Sequence, residues 1–278
     1  LKIANKMIFS KWREALGGEL KGVICGGAAL QPRLARIFRA AGIRVQEGYG
    51  LTETSPIVCA TRADYPGVKW GSAGLVAEGV EVKIAEDGEI LVRGDNVMQG
   101  YYKDPEKTAE VITEDGWFHT GDIGNVDENN MLSITDRKKE IFKLSGGKYV
   151  APHLIENTFK ESQFIENIMV VGENEKFTAA LISPNFEFLF EYCRIHKIEY
   201  KDVADLIQLP KILQRFQKEV EAQNKDLDHV SQIKVFKLVP DSWTPESGEL
   251  SPTQKLKRRV VMKQYDSILQ EIYPKENI

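Results

Sequence analysis

The chain has 278 residues, 42% of them hydrophobic and 28% charged, with a net charge of −4. This length fits about two domains, the apolar content supports packed cores, and the mildly acidic balance excludes a nucleic-acid footprint across the whole surface. Three separated cysteines without a CxxC pair, and four histidines without an HExxH or HxH pattern, exclude a disulfide framework and a zinc site. Reduced thiols in a cytoplasmic protein are expected. No apolar run is long enough to span a bilayer and no signal peptide is visible, which leaves peripheral membrane contact open.

Residues 1–16 carry Ile3, Met7, Ile8, Trp12, Ala15 and Leu16 near one face, which predicts an amphipathic helix entered mid-stream. A fragment without its N-terminal part is therefore expected. Residues 20–25 predict a buried strand ending in a Gly-Gly-Ala-Ala-Leu turn at 26–30. Pro32 opens a helix, Gly42 stops it, and 43–46 predict the next strand. This strand–helix–strand unit is the pattern of a parallel sheet, whose ligands bind beyond the C-terminal strand ends. From residue 65 glycines separate short alternating runs. Strands at 80–85 and 89–93 flank the Asp87-Gly88 turn, and another is predicted at 131–135. After the charged run 136–140 come a helix at 152–162, strands at 166–172 and 177–183, helices at 185–196, 201–207 and 210–225, a strand at 234–238, a polar loop at 241–254 and a final helix at 254–272.

Several segments carry chemistry. Residues 47–56 read Glu-Gly-Tyr-Gly-Leu-Thr-Glu-Thr-Ser-Pro. Gly48 and Gly50 permit sharp turns and close ligand approach. Tyr49 offers a flat face, Thr52 a donor for an anionic oxygen, and Glu53 a hard ligand suited to Mg²⁺. An ordinary polar loop fits the same ten residues. Asp122, flanked by glycines at an expected loop, suits a vicinal diol or a simple turn. Arg137 suits a ribose, a phosphate or a salt-bridged surface turn. Lys143, Gly146, Gly147 and Lys148 form a glycine loop that lacks Walker spacing and suits an elongated ligand such as pantetheine, or a plain strand–helix turn. Lys255 and Lys257, expected at the start of the last helix, suit stabilisation of developing negative charge or a basic surface facing a membrane.

In order and spacing these blocks resemble the AMP-forming adenylating enzymes: acyl-CoA synthetases, luciferase and peptide-synthetase adenylation domains. The resemblance rests on 26–30, Tyr49-Gly50-Leu51-Thr52-Glu53, Gly100-Tyr101-Tyr102 with Pro105-Glu106-Lys107-Thr108, 117–124, 136–147 and the C-terminal lysine. Within the superfamily, 186–197, 248–253 and 255–259 look most like long-chain fatty acid–CoA ligases. The resemblance implies a mixed α/β and α+β fold. Residues 1–64 would end a parallel-sheet α/β domain, 65–135 would form a β-rich, barrel-like subdomain, and 136–278 a small mobile α+β lid hinged at 136–140. It implies that a fatty acid, ATP and CoA become acyl-CoA, AMP and pyrophosphate with Mg²⁺. By the same resemblance, Gly27, Ala28, Tyr49 and Gly50 line the adenine, Thr52 binds the α-phosphate, Glu53 holds the metal, and Asp122 and Arg137 grip the ribose. Lys139 takes the hinge position, Lys143 and Gly146 face the active site in the thioester-forming pose, and Gly146 and Gly147 lie beside the pantetheine of CoA. Lys255 takes the place of the adenylation lysine, with Lys257 as the alternative, because Gln254 stands where the family usually has glycine. The Ser/Thr/Gly-rich phosphate loop is missing, so this chain alone is expected not to complete catalysis. Aryl or amino acid adenylation with transfer to a carrier protein, or a non-catalytic module, are the other readings.

Overall fold

The computed structural model describes residues 2–62 and 68–274. The expected boundary at 64/65 lies outside the described residues. The chain divides into two compact units, Leu1–Lys138 and Lys139–Ile278.

The first unit opens with a helical stretch, α1 (Lys2–Ala4), a π-helical turn (Asn5–Phe9) and α2 (Ser10–Ala15), in one run. Its apolar residues Ile3, Met7, Ile8 and Trp12 are exposed. One eight-stranded sheet follows: β1 (Val23–Gly26), β2 (Val45–Tyr49), β3 (Cys59–Ala60), β4 (Gly74–Val76), β5 (Val80–Ile84), β6 (Glu89–Gly94), β7 (Phe118–Val126) and β8 (Met131–Arg137). Helix α3 (Pro32–Ala40) connects β1 to β2, and α4 (Pro105–Val111) connects β6 to β7. The order β1-β2-β3-β4-β8-β7-β6-β5 is parallel at β1/β2 and antiparallel elsewhere.

This corrects the barrel-like expectation. The sheet is open, with β1 and β5 as its two edges, and no sheet among the described residues closes into a barrel. The glycine-punctuated strands share this sheet with the parallel pair through β3 and β4. Short antiparallel strands with frequent turns look alike in a barrel and in an open meander, since closure depends on which edges meet. The core of this sheet is Val58, Cys59, Val76, Ile90, Val92 and Leu132.

Two further corrections bear on the site. The second strand begins and ends later than 43–46: it runs to Tyr49, because Gly48 is paired with Gly26 on one side and Ala60 on the other. Asp122 lies inside β7 and not in a loop.

The second unit is built on the sheet β11-β12-β13, with β11 (Ile165–Val171) antiparallel to β12 (Ala179–Pro184), and β13 (Val235–Leu238) parallel to it. A two-stranded ladder, β9 (Phe142–Lys143) with β10 (Tyr149–Val150), precedes it. Helices α5 (Pro152–Phe159), α6 (Phe186–His196), α7 (Val203–Leu206) and α8 (Pro210–Asn224) follow the expected positions, and α9 (Arg258–Gln264) and α10 (Asp266–Ile272) close the unit. The two-residue period of β11 and β12 separates two cores. Ile168, Val170, Ala180 and Ile182 enter one with Phe159, Leu189 and Phe216; Met169, Val171, Ala179 and Leu181 enter the other with Trp243, Val261 and Tyr265.

The final helix starts later than predicted and divides at Tyr265. Residues 251–257 instead fold as a turn. Ser251 N donates to Lys255 O at 2.8 Å, Lys257 N to Glu249 O at 2.8 Å, and Leu250 bridges Leu256. Lys255 and Lys257 therefore precede the helix.

Candidate active site

Loops after β1 and β2 leave the same end of the parallel pair. Gly27 takes φ 79°, which a glycine adopts without strain, and Ala28 follows it on an exposed turn. Leu30 N donates to Glu47 Oε2 at 3.4 Å. Burial pushes the Glu47 carboxyl above its ordinary value, and the Leu30 amide only partly opposes this.

Gly50 meets a closer constraint. A Cβ there would sit 1.7 Å from Pro56 O, so only glycine lets the chain double back over itself. Thr52, Glu53 and Thr54 then form one 3₁₀ turn. Buried Thr54 stabilises it: Oγ1 accepts from Leu51 N at 2.9 Å and donates to Leu51 O at 3.0 Å. Asn96 Nδ2 clasps the far side through Thr54 O and Ile57 O. On this turn Thr52 is exposed, while Glu53 Oε1 accepts from Tyr101 OH at 3.1 Å and Glu53 O from Met98 N at 2.8 Å. Burial raises the Tyr101 phenol above its ordinary pKa, and the bond to Glu53 adds to that.

The structure brings Tyr49, Asp122 and Arg137 together. Asp122 and Arg137 are cross-strand partners on β7 and β8. Arg137 Nε lies 3.3 Å from Asp122 Oδ1, and Tyr49 OH donates to Asp122 Oδ2 at 2.7 Å. Burial, then the negative Asp122 beside it, hold the Tyr49 phenol far above its usual pKa, so it is a committed donor.

Beneath this trio sits a side-chain cluster with no local sequence signal. Glu89 is 3% exposed. Its carboxylate accepts from Lys138 Nζ at 2.8 Å and Gly121 N at 2.9 Å, and His119 Nδ1 lies 2.9 Å away. Burial would raise its pKa; these bonds, Lys138 first, outweigh burial and leave the carboxyl below its ordinary value. Glu89 thus ties the middle of β7, beside Asp122, to Lys138 just past the end of β8, beside Arg137.

The second unit carries the remaining expected residues. Lys139 is its first residue and is exposed. Lys143 pairs with Tyr149 across β9/β10, its Nζ 5.4 Å from the ring centroid. Gly147 takes φ 81° in the turn that joins these strands, and Gly146 precedes it with open space at its Cβ position. Lys255 is exposed at the end of the 251–255 turn, its amide held by Ser251 Oγ at 3.0 Å. Gln254 takes φ 62°, the left-handed region that favours glycine. The residue differs from the expected glycine, yet the backbone conformation is the one a glycine would serve.

Sequence reasoning missed a second, partly buried cluster. Arg258 Nε donates to Glu140 Oε2 at 2.9 Å, its Nη1 to Val170 O at 3.1 Å and its Nη2 to Glu156 Oε1 at 2.6 Å. His153 Nε2 lies 2.8 Å from Glu140 Oε2. The contact with His153 holds the Glu140 carboxyl down to about 2, against burial and with help from Arg258.

Glu53 is a single carboxylate, and no group of three or more metal-ligating side chains occurs among the described residues. That donor set fits Mg²⁺, which binds through one or two carboxylates together with substrate phosphates. No described helix is long and apolar enough to cross a membrane.

The chain belongs to the AMP-binding enzyme family: residues 2–102 match its main domain and residues 139–277 its C-terminal domain. It is 38% identical over 275 residues to long-chain-fatty-acid–CoA ligase FadD15 of Mycobacterium bovis, covering 99% of this chain and 45% of that protein. It is 34% identical to human long-chain-fatty-acid–CoA ligase 1, covering 97% of this chain and 40% of that protein. The chain thus spans somewhat under half the length of these curated relatives. Among solved structures it is similar to the A-PCP didomain of a carboxylic acid reductase from Segniliparus rugosus in complex with AMP. That match has a TM-score of 0.71 and 26% identity, and covers 96% of this chain and 37% of that one.

Proposed function

We propose that this chain supplies the adenosine-binding wall and the lysine-bearing domain of an AMP-forming acid–thiol ligase that acts on long-chain fatty acids. The observation that carries this reading is the Tyr49–Asp122–Arg137 constellation, in which a half-buried ring adjoins a carboxylate already aligned by two donors. Asp122 accepts from the ribose hydroxyls, Arg137 donates to the ribose, and the Tyr49 ring stacks on adenine with Gly27, Ala28 and Gly50 beside it. Thr52 donates to the α-phosphate. Glu53 would hold Mg²⁺, which when bound offsets phosphate charge. A fatty carboxylate oxygen attacks the α-phosphorus and pyrophosphate leaves, with Lys255 stabilising the charge that develops. The CoA sulfur then attacks the acyl carbon and AMP leaves, with Lys143 facing the reacting groups and Gly146 and Gly147 along the pantetheine. Lys139 serves as the pivot between the two steps.

The names of the curated relatives favour a fatty acid and CoA. The carboxylic acid reductase didomain supports a second reading, transfer to a carrier protein. A protein of the relatives' full length carrying this chain is expected to form AMP only when a long-chain fatty acid, ATP and CoA are all supplied, and Lys255→Ala is expected to abolish adenylate formation. Turnover with a carrier protein but not with CoA would select the second reading. Absence of any acid-dependent AMP would refute both.

A further inference from the structure

Arg258 is buried to 19% side-chain exposure and connects three separate elements of the second unit. Its backbone begins α9, directly after the 251–257 turn. Its guanidinium reaches Glu140 just before β9, Glu156 on α5 and the carbonyl of Val170 on β11. Glu156 Oε1 also accepts from Val170 N at 2.8 Å, which ties the two acceptors to each other. An arginine fork matches such divergent acceptors, whereas a lysine presents a point charge. A buried guanidinium of this kind is costly to desolvate and is held only by full pairing.

The tip of the turn is held only by local bonds: Gln254 N donates to Ser251 O and Lys255 N to Ser251 Oγ, and Lys255 is exposed. Leu256 packs on the second core, and Arg258 is the next side chain, with hydrogen bonds to Glu140, Glu156 and the Val170 carbonyl outside the turn. Rotation of α9 about this anchor would swing Lys255, three residues upstream.

We propose that Arg258 is a positioning residue for Lys255: its ties to Glu140, Glu156 and Val170 set the placement of the 251–257 turn. The proposal rests on the reading of Lys255 as the adenylation lysine. It places Arg258 outside the reacting atoms, so its loss lowers the rate of adenylation and leaves nucleotide affinity nearly intact.

The test uses two readouts. In this 278-residue chain, Arg258→Met is expected to speed amide exchange at Gln254, Lys255 and Lys257 by about tenfold, with Leu181 and Ile182 of β12 unchanged. In a full-length protein carrying the chain, acid-dependent ATP–pyrophosphate exchange is expected to lose about 10- to 100-fold in kcat, because small misplacement of a reacting group costs that much. KM for ATP should stay within about twofold, and Arg258→Lys should recover part of the rate by keeping a cation beside Glu156. Glu140→Ala serves if Arg258→Met does not fold, since Arg258 then keeps Glu156 and Val170; a smaller kcat loss in the same sense is expected. An unchanged kcat in a folded Arg258→Met or Glu140→Ala protein, where Lys255→Ala abolishes exchange, overturns this inference alone. An unchanged kcat in Lys255→Ala overturns the underlying assignment.

Discussion

Tyr49→Phe removes one oxygen and leaves the ring. In the structure that oxygen donates to Asp122 Oδ2 at 2.7 Å, a short bond to a carboxylate whose side chain is 6% exposed. A hydrogen bond to a charged group contributes about 1.5–3 kcal/mol. Arg137 remains beside Asp122 at 3.3 Å, but its side chain is 55% exposed and its contribution is screened. The carboxylate therefore loses its stronger donor, and a destabilisation of about 2 kcal/mol in the first unit is expected. By the usual conversion this raises the opening equilibrium by about 30-fold. Native-state amide exchange reads it directly. Residues paired across β7 and β8, such as Asn125 and Ser133, should exchange faster by about that factor, while Met169 and Leu181 in the second unit should not change. A change below about twofold in β7 and β8, or an equal change in both units, would show that the hydroxyl does not hold Asp122 as described.

Two further predictions concern the second unit. Gln254→Gly relieves the left-handed φ of 62° at a cost in unfolded-chain entropy, so a small gain of about 0.5 kcal/mol is expected. Fluorescence of Trp243, buried against Tyr265, follows the denaturant midpoint, and a lower midpoint would contradict the strain argument. Glu140, held at about 2 rather than 4.5, contributes stability that is present above pH 5 and lost as pH falls through 2. With its side chain 32% exposed, about 1–2 kcal/mol is expected after screening. The stability difference between wild type and Glu140→Gln should vanish from pH 6 to pH 2; a constant difference would refute it.

Much of the second unit was legible because its signals are local. The apolar runs in 168–171 and 179–182 give buried strands, and Pro152 and Pro210 open helices. The hairpin at Asp87-Gly88 was legible for the same reason. Strand β7 was not. Phe118 to Val126 includes His119, Thr120, Gly121, Asp122, Gly124 and Asn125, a poor strand composition, and its extended form is imposed by pairing with β6 and β8. Gly124 shows how tight that pairing is, since a Cβ there would lie 2.4 Å from Ser133 O. Helix α4 was legible and overlooked: Asp104 caps it through Lys107 N and Pro105 follows at the first helical position. Glu140 and Arg258 are 118 positions apart, and no local pattern announces such a pair.

The placement of Asp122 on a strand changes how the proposed ribose contact would work. A carboxylate on a loop must be ordered when ligand arrives, and that ordering opposes affinity. Asp122 stands on a nine-residue strand paired on both sides, its two oxygens already aligned by Tyr49 and Arg137, with Glu89 fixing Gly121 before it. An ionised carboxylate has about four lone-pair sites, and these donors orient it. Sites built on regular elements hold geometry more closely than loops do. The proposed ribose contact of the first unit therefore rests on β2, β7 and β8, while the proposed placement of Lys255, exposed in the second unit, rests on Arg258.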